Sequence, residues 1–270
     1  MICKKQEGYK EGQDPSLGGI GVEKTQDKIG LEVESEEAVG VLTERDSVAL
    51  SWVVAQGAMT VDQIFRAVYS SHQAKSARYA YRRIRFLVAS GFLVKANAYH
   101  RKDRFYKATR QTLRLLSLQG LHEVTRTLHV PTVSEMPHAE ILTEVRLAIQ
   151  ASGKHSEGLW WRSEGSLIED PDFPKERFRD LMPDAIWITK SGKRIAIEFE
   201  RTRKGITRVR QKVEGLDQEL SRTDRAFDLV LWLAVDGAFR DLKNALGNRQ
   251  TQTLRSVSEF MNELRGDVQR

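Results

Sequence analysis

Hydrophobic positions first recur at helical spacing after about residue 40. Val48, Trp52 and Val53 repeat on one side of a predicted helix. Thr43 and Asp46 stand before them at the spacing of a capping box, in which each side chain accepts a hydrogen bond from the other's backbone N–H. The pattern therefore predicts that ordered structure begins near Thr43.

Two further helices and a hairpin are predicted next. Thr60 caps a short helix, and a longer helix covers residues 74–89. Two short strand patterns follow at residues 92–94 and 105–108. Three helices followed by a hairpin is the element order of a winged helix-turn-helix. We assign this predicted module to residues 41–120.

The second half of the chain alternates helices with strands. This alternation predicts an α/β domain, α+β overall, over residues 138–270, preceded by a linker at residues 121–137. A turn at Ser191 and Gly192 joins two of the strands in a hairpin. The predicted elements are a helix at 138–151, strands at 159–162, 185–189 and 194–200, a basic helix at 206–220, a strand at 227–235 and two final helical segments.

Composition favours a soluble cytoplasmic protein without membrane association. The longest apolar run, at residues 229–235, is far too short to cross a membrane, and no signal peptide is evident. Cys3 is the only cysteine, which excludes an internal disulfide and a cysteine-based zinc site. Residues 1–40 combine glycines and charges without hydrophobic periodicity, and we expect them to be a disordered, mildly acidic tail.

Positive charge is concentrated in one segment of a chain whose net charge is +6. Residues 70–110 contain eleven Lys and Arg side chains and one acidic side chain. Such a density of like charge favours double-stranded DNA as the partner, and a solvated basic surface is the alternative. Three of the arginines share one face of the predicted third helix, as in a recognition helix. The candidate DNA contacts of this module are Lys75, Arg78, Arg82, Arg83, Arg85, Arg101, Lys102 and Arg104.

Three carboxylates are predicted to meet on the hairpin of the second half. Side chains alternate along a strand, so Glu198 and Glu200 project from one face, and the hairpin turn brings Asp184 onto the neighbouring strand. Converging carboxylate oxygens suit Mg²⁺ or Mn²⁺, which can generate hydroxide and stabilise a phosphodiester transition state. The alternative is that both glutamates form the solvated face of an exposed strand.

Two short motifs resemble the start of the plasmid replication-relaxation proteins. Residues 42–46 read LTERD, which is similar to their LTxRD opening, and residues 60–64 read TVDQI, which is similar to their second helix. The resemblance implies a winged helix followed by a nuclease-like half, in a protein of plasmid or mobile-element type.

The second half resembles the PD-(D/E)xK nuclease superfamily over about residues 138–235. Asp184, which follows Pro183, matches the superfamily's aspartate, and Glu198 matches its second acid. The resemblance implies a restriction-endonuclease-like fold in which these two residues hold the metal. The superfamily's first helix often supplies a further glutamate, which here implies Glu144.

One position departs from the superfamily pattern. The lysine that orients or activates the attacking water falls at position 200, where this chain has Glu200. Some restriction enzymes of the superfamily also have glutamate there. Arg208 and Lys212 on the following basic helix are candidates for a displaced cation and for DNA contacts.

Three hypotheses follow for the second half. In an enzyme, Asp184 and Glu198 would hold Mg²⁺ or Mn²⁺ for DNA cleavage, assisted by Glu200 and Glu144. In a binding protein, an inactive nuclease relative would serve transcription control or plasmid replication and transfer. In an interaction module, for example one that forms a homodimer, the carboxylates would be surface groups. Glu200 favours the binding protein, whereas retention of all three hairpin carboxylates favours the enzyme.

Overall fold

The helix expected after Thr43 is present in the computed structural model. α1 (Glu44–Gln56) begins with the capping box: the Thr43 side chain accepts a hydrogen bond from the Asp46 N–H, and the Asp46 carboxylate accepts one from the Thr43 N–H at 2.8 Å. The helix ends at Gly57, whose φ of +73° lies in the region that favours glycine. A Cβ there would also clash with the His129 carbonyl oxygen.

The structure describes residues 41–69, 77–96, 104–120, 129–178, 181–202 and 205–268. The expected tail at residues 1–40 lies outside the described residues, as do most of the hairpin tip and the candidate DNA contacts Lys75, Arg101 and Lys102.

The remaining elements of the amino-terminal part are short helices and a small antiparallel sheet. They are β1 (Met59–Thr60), α2 (Val61–Ile64) with a π-helical turn over Phe65–Tyr69, α3 (Ala77–Ala89), β2 (Leu93–Ala96), β3 (Phe105–Ala108) and α4 (Arg110–Leu118). The strand order is β1-β3-β2, so the hairpin of β2 and β3 gains a third strand from the segment before α2.

The carboxyl-terminal part is a mixed five-stranded sheet with helices on both faces. Its elements are α5 (Met136–Ser152), β4 (Trp161–Ser163), α6 (Glu164–Glu169), a 3₁₀ turn (Lys175–Phe178), β5 (Ala185–Ile188), β6 (Arg194–Glu200), α7 (Ile206–Leu220), β7 (Leu229–Ala234), α8 (Asp236–Leu246), β8 (Gln252–Ser256) and α9 (Val257–Val268). The strand order is β4-β5-β6-β7-β8; the first two pairings are antiparallel and the last two are parallel.

Strand β6 separates the two cores of this sheet. Ala196 packs with Val213 of α7 and Leu242 of α8 on one face. Ile197 and Phe199 pack on the other face in the core that α5 and α9 cover. The expected alternation along this strand is therefore confirmed, and the mixture of helices and strands confirms the α/β class.

The end of the chain differs from the prediction. Two final helical segments are present, but strand β8 lies between them. Its sequence, QTLRS, has a single large apolar side chain, because β8 is an edge strand of the sheet. Hydrophobic alternation is weak in such a strand. No helix in the described part of the chain has the length and apolar character needed to cross a membrane.

Helix α5 packs against both parts of the chain. Its Arg146 guanidinium lies 3.6 Å from the ring centroid of Trp52 in α1, and 5.6 and 5.9 Å from those of Trp160 and Trp161. Burial lowers the pKa of Arg146 to about 9, so the guanidinium stays charged at neutral pH and is attracted by the ring faces. Gln150 adds a hydrogen bond to the carbonyl oxygen of Ala67 at 3.2 Å.

Candidate nucleic-acid interface and carboxylate site

An arginine face is exposed on α3. Ala80, Ile84 and Leu87 are buried at spacings of four and three residues, which turns the opposite side of the helix to solvent. That side carries Arg78, Arg82 and Arg85, all exposed as predicted. The part of the chain that the structure describes offers these guanidiniums no carboxylate within ion-pair distance.

The hairpin continues this positive surface. Lys95 in β2 and Arg104 immediately before β3 are both exposed. Neither forms an ion pair with another described residue. Arg104 and the α3 arginines are therefore exposed and stay candidate DNA contacts.

Arg83 does not belong to this surface, and its assignment as a DNA contact is corrected. Its guanidinium forms an ion pair with Asp46, whose carboxylate is fully buried, and its Nε donates to Asp46 Oδ1 at 3.1 Å. It also lies over the Phe86 ring at 4.5 Å and donates to the carbonyl oxygen of Val41. Tyr69 completes the group through its hydroxyl, 3.3 Å from Asp46 Oδ1. Arg83 is a structural residue that fixes α3 to α1.

Asp184 directly precedes β5 and is held in place from two directions. Its Oδ2 accepts a hydrogen bond from the Phe199 N–H at 2.7 Å, and its Oδ1 lies 3.2 Å from His138 Nε2. Burial acts to raise the pKa of Asp184, but the hydrogen bond from His138, nearby positive charge and the Phe199 N–H together hold the pKa below its ordinary value. Asp184 is therefore ionised at neutral pH.

Glu198 is buried beside a lysine from α7. Its side chain is 4% exposed, and its Oε2 lies 2.6 Å from Lys212 Nζ. Lys212 also donates to the carbonyl oxygen of Met182 at 3.3 Å. Burial acts to lower the pKa of Lys212, but the negative charges of Glu198 and Asp184 raise it above its ordinary value. The ammonium group is therefore charged. Lys212, one of the two candidates on α7 for a displaced cation, therefore lies beside Glu198.

Glu200 is also buried, with 6% of its surface exposed. The alternative that Glu198 and Glu200 form a solvated strand face is therefore wrong. Glu200 lines a cleft of about 770 Å³ that extends from the end of α1 to Asp184. Arg208, on the first turn of α7, is exposed, as a DNA contact would have to be.

Two residues of the site were missed by the sequence reasoning. His138 begins the helix predicted at residues 138–151 and was not among the candidate site residues, yet its ring contacts both Asp184 and, at 5.0 Å between centroids, Phe199. Glu164 lines the same cleft, and its N–H donates to the carbonyl oxygen of Asp184 at 3.0 Å. Burial and the negative charge of Asp184 raise the pKa of Glu164. No local signal marks either residue, because both reach the site through tertiary packing.

Glu144 lies elsewhere, and its assignment to the catalytic set is corrected. Its carboxylate forms an ion pair with Arg66 at 2.5 Å and accepts a hydrogen bond from Gln63 Nε2 at 3.0 Å. The face of α5 that reaches the carboxylate cleft carries His138 instead. Glu144 therefore joins α5 to α2 and the π-helical turn.

The sequence model of the replication-relaxation family matches residues 50–227. The chain belongs to the replication-relaxation family. The match includes the arginine face of α3, the pair of Glu198 and Lys212, and the motif at residues 60–64; the motif at residues 42–46 lies before the matched range. A comparison with curated proteins gave no match.

Membership in the replication-relaxation family suggests a function related to plasmid replication or relaxation, and hence interaction with DNA. The carboxylates of this replication-relaxation protein do not converge as a group of three. Among the described residues, no three His, Cys, Asp or Glu side chains are placed to hold a metal ion together. The expected cluster of Asp184, Glu198 and Glu200 is therefore corrected, and Asp184 and Glu198 remain the candidate ligands. Two carboxylates suffice where water and a substrate phosphate complete the coordination of Mg²⁺.

Proposed function

We propose that this replication-relaxation protein binds double-stranded DNA through a winged-helix module in which α3 is the recognition helix. The observation that supports this best is the exposed arginine face of Arg78, Arg82 and Arg85, which lacks ion-pair partners among the described residues. An α-helix fits the major groove of B-form DNA, where arginine recognises guanine and contacts phosphates.

The neighbouring hairpin supports the same proposal. In a winged helix the hairpin contacts DNA beside the groove that the recognition helix enters. Lys95 is exposed on β2, and Arg104 is exposed just before β3. Arg85 of α3 lines one groove together with Lys95 and Arg104, so basic groups of the hairpin and of α3 lie side by side.

Replacing Arg82 by alanine should weaken duplex binding by about tenfold, because one charge-assisted contact is lost. The slope of log affinity against log salt concentration should fall by about one, because one counterion fewer is released. Fluorescence anisotropy titration of a labelled duplex over a series of salt concentrations measures both quantities.

Arg240→Ala is the matched control, because Arg240 is exposed on α8 and forms no ion pair with another described residue. We expect its affinity and salt slope to equal those of the wild type. Equal losses for Arg82→Ala and Arg240→Ala would mean that net charge alone drives binding. Unchanged binding for Arg82→Ala and Arg85→Ala together would contradict the role of α3.

A second candidate function is metal-dependent cleavage of the bound DNA. The observation that favours it is the buried pair of Glu198 and Lys212 beside an ionised Asp184. Asp184 and Glu198 would be the two acids of a PD-(D/E)xK site, and Lys212 of α7 would be its lysine. Lys212 stays protonated, so it would hold a phosphate oxygen or a water molecule and would not accept a proton. His138 would orient Asp184.

Asp184 and Glu198 are the residues that would hold Mg²⁺ or Mn²⁺. The donor set fits a hard cation, because both groups are carboxylates and Asp184 lines an open cleft with room for water and phosphate. When bound, the cation would act as a Lewis acid and lower the pKa of a bound water molecule. The alternative is an inactive nuclease relative that binds DNA as a regulator or as a replication or transfer factor.

A further inference from the structure

A second groove lies between α3, the hairpin and α5, away from the carboxylate cleft. Its volume is about 860 Å³. Tyr81 and Arg85 of α3 form one side, and Lys95, Arg104 and Tyr106 of the hairpin form the next. The remaining side comes from α2 and α5. The groove therefore adjoins the arginine face and shares Arg85 with it, but its other lining side chains lie outside that face.

The charges in this groove are divided between its sides. Arg85, Lys95 and Arg104 form no ion pairs with other described residues. Facing them on α2 and α5 are three carboxylates, Asp62, Glu140 and Glu144, which outnumber the one cation of that side, Arg66, the ion-pair partner of Asp62 and Glu144. A run of phosphates alone would be repelled by the acidic side. The arrangement suits a ligand with an anionic group at one end and hydrogen-bond donors at the other.

Two tyrosines lie in the same groove. Tyr81 is 54% exposed, an unusual position for an aromatic ring on a helix so rich in arginine. Tyr106 is buried, with 7% of its surface exposed. Burial and the neighbouring Tyr81 raise the pKa of Tyr106, so its hydroxyl stays protonated and can donate a hydrogen bond. An exposed ring beside cations is the arrangement on which unpaired bases stack.

We propose that this groove binds one unpaired nucleotide of a DNA strand that continues from the duplex held by α3. The phosphate would contact Arg85, Lys95 and Arg104, and the base would stack on Tyr81. The acidic side would accept hydrogen bonds from exocyclic amino groups, which a paired base has already committed. The inference rests on the proposed duplex binding, and it makes the protein a reader of junctions between paired and unpaired DNA.

The test compares a blunt duplex with the same duplex carrying a single-stranded extension, using the full chain. The wild type should bind the extended duplex about five- to 150-fold more tightly, the range that stacking of one base on an aromatic side chain gives. Tyr81→Ala should lose this preference while its affinity for the blunt duplex stays within about twofold, since the arginine face is unchanged. Tyr81→Phe should retain the preference, because it keeps the ring.

Val94→Ala is the control, because Val94 is an exposed apolar side chain on β2 that does not line the groove. With 2-aminopurine in the extension, binding should quench its fluorescence in the wild type and in Tyr81→Phe but not in Tyr81→Ala. Equal affinity of the wild type for both DNAs, or an equal loss on both in Tyr81→Ala, would overturn the proposal. If the blunt duplex still responds to Arg82→Ala in that case, the duplex-binding function stands and only the groove assignment fails.

Discussion

Replacing Asp184 by asparagine should lower metal-dependent nicking of supercoiled DNA by at least about a hundredfold, a loss larger than removal of a ligand's hydrogen-bond partner typically causes. Asparagine has nearly the same shape and can still accept the hydrogen bond from the Phe199 N–H. It has no negative charge, so its affinity for a divalent cation is much lower. Gel electrophoresis of supercoiled, linear and single-stranded DNA with Mg²⁺ or Mn²⁺ measures the loss.

Binding and cleavage should separate in this variant. The arginine face on α3 is untouched, so the affinity of Asp184→Asn for duplex DNA should stay within about twofold of the wild type. Glu259→Gln is the matched control, because Glu259 is an exposed acid of the same half, on α9, and does not line the cleft. Nicking that persists in Asp184→Asn would contradict the site, and a folded variant that no longer binds DNA would contradict the division of labour.

If the wild-type protein binds DNA but nicks none of these substrates with either metal, the second half is an inactive nuclease relative and the protein acts as a DNA-binding regulator or as a replication or transfer factor. The pair of Glu198 and Lys212 would then be a structural ion pair retained within the sheet. The stability of Lys212→Met would then measure what the pair contributes to the fold. If the pair is structural, the unpaired Glu198 carboxylate should destabilise the fold by about 3–5 kcal/mol, because a buried charge has lost its partner.

Features with a short sequence period could be predicted from the chain alone. The spacing of Arg78, Arg82 and Arg85 predicted an exposed face because a helix repeats every 3.6 residues. The alternation along β6 placed Glu198 and Glu200 on one face in the same way. The turn at Gly192, with φ of +78°, follows from the freedom of glycine to adopt positive φ.

Features that depend on distant partners could not be predicted. Arg83 lies within a dense run of positive charge, and nothing local indicates that its partner is Asp46, 37 residues earlier. Glu144 and His138 lie on the same helix, and the sequence does not show which of them faces the carboxylate cleft. That choice depends on how α5 is rotated between the two parts of the chain, which Arg66 and the tryptophans around Arg146 determine.

Replacing Asp46 by alanine should lower the free energy of unfolding by about 3–5 kcal/mol, because it removes one partner of a buried ion pair. The carboxylate has no exposed surface, and its oxygens serve the Arg83 guanidinium, the Tyr69 hydroxyl and the Thr43 N–H at once. Alanine would leave the Arg83 charge and the first turn of α1 without these partners. Denaturant unfolding followed by circular dichroism measures the change.

Asp62→Ala is the matched control for this prediction. Asp62 is also an acid at the start of a helix with an arginine partner, Arg66 at 2.8 Å, but 70% of its side chain is exposed. Its loss should cost less than about 1 kcal/mol, because solvent screens an exposed pair. Asp46→Asn should fall between the two, since it keeps a capping oxygen and loses the charge. Equal, small effects of Asp46→Ala and Asp62→Ala would show that Arg83 does not depend on Asp46, and Arg83 would then return to the candidate DNA contacts.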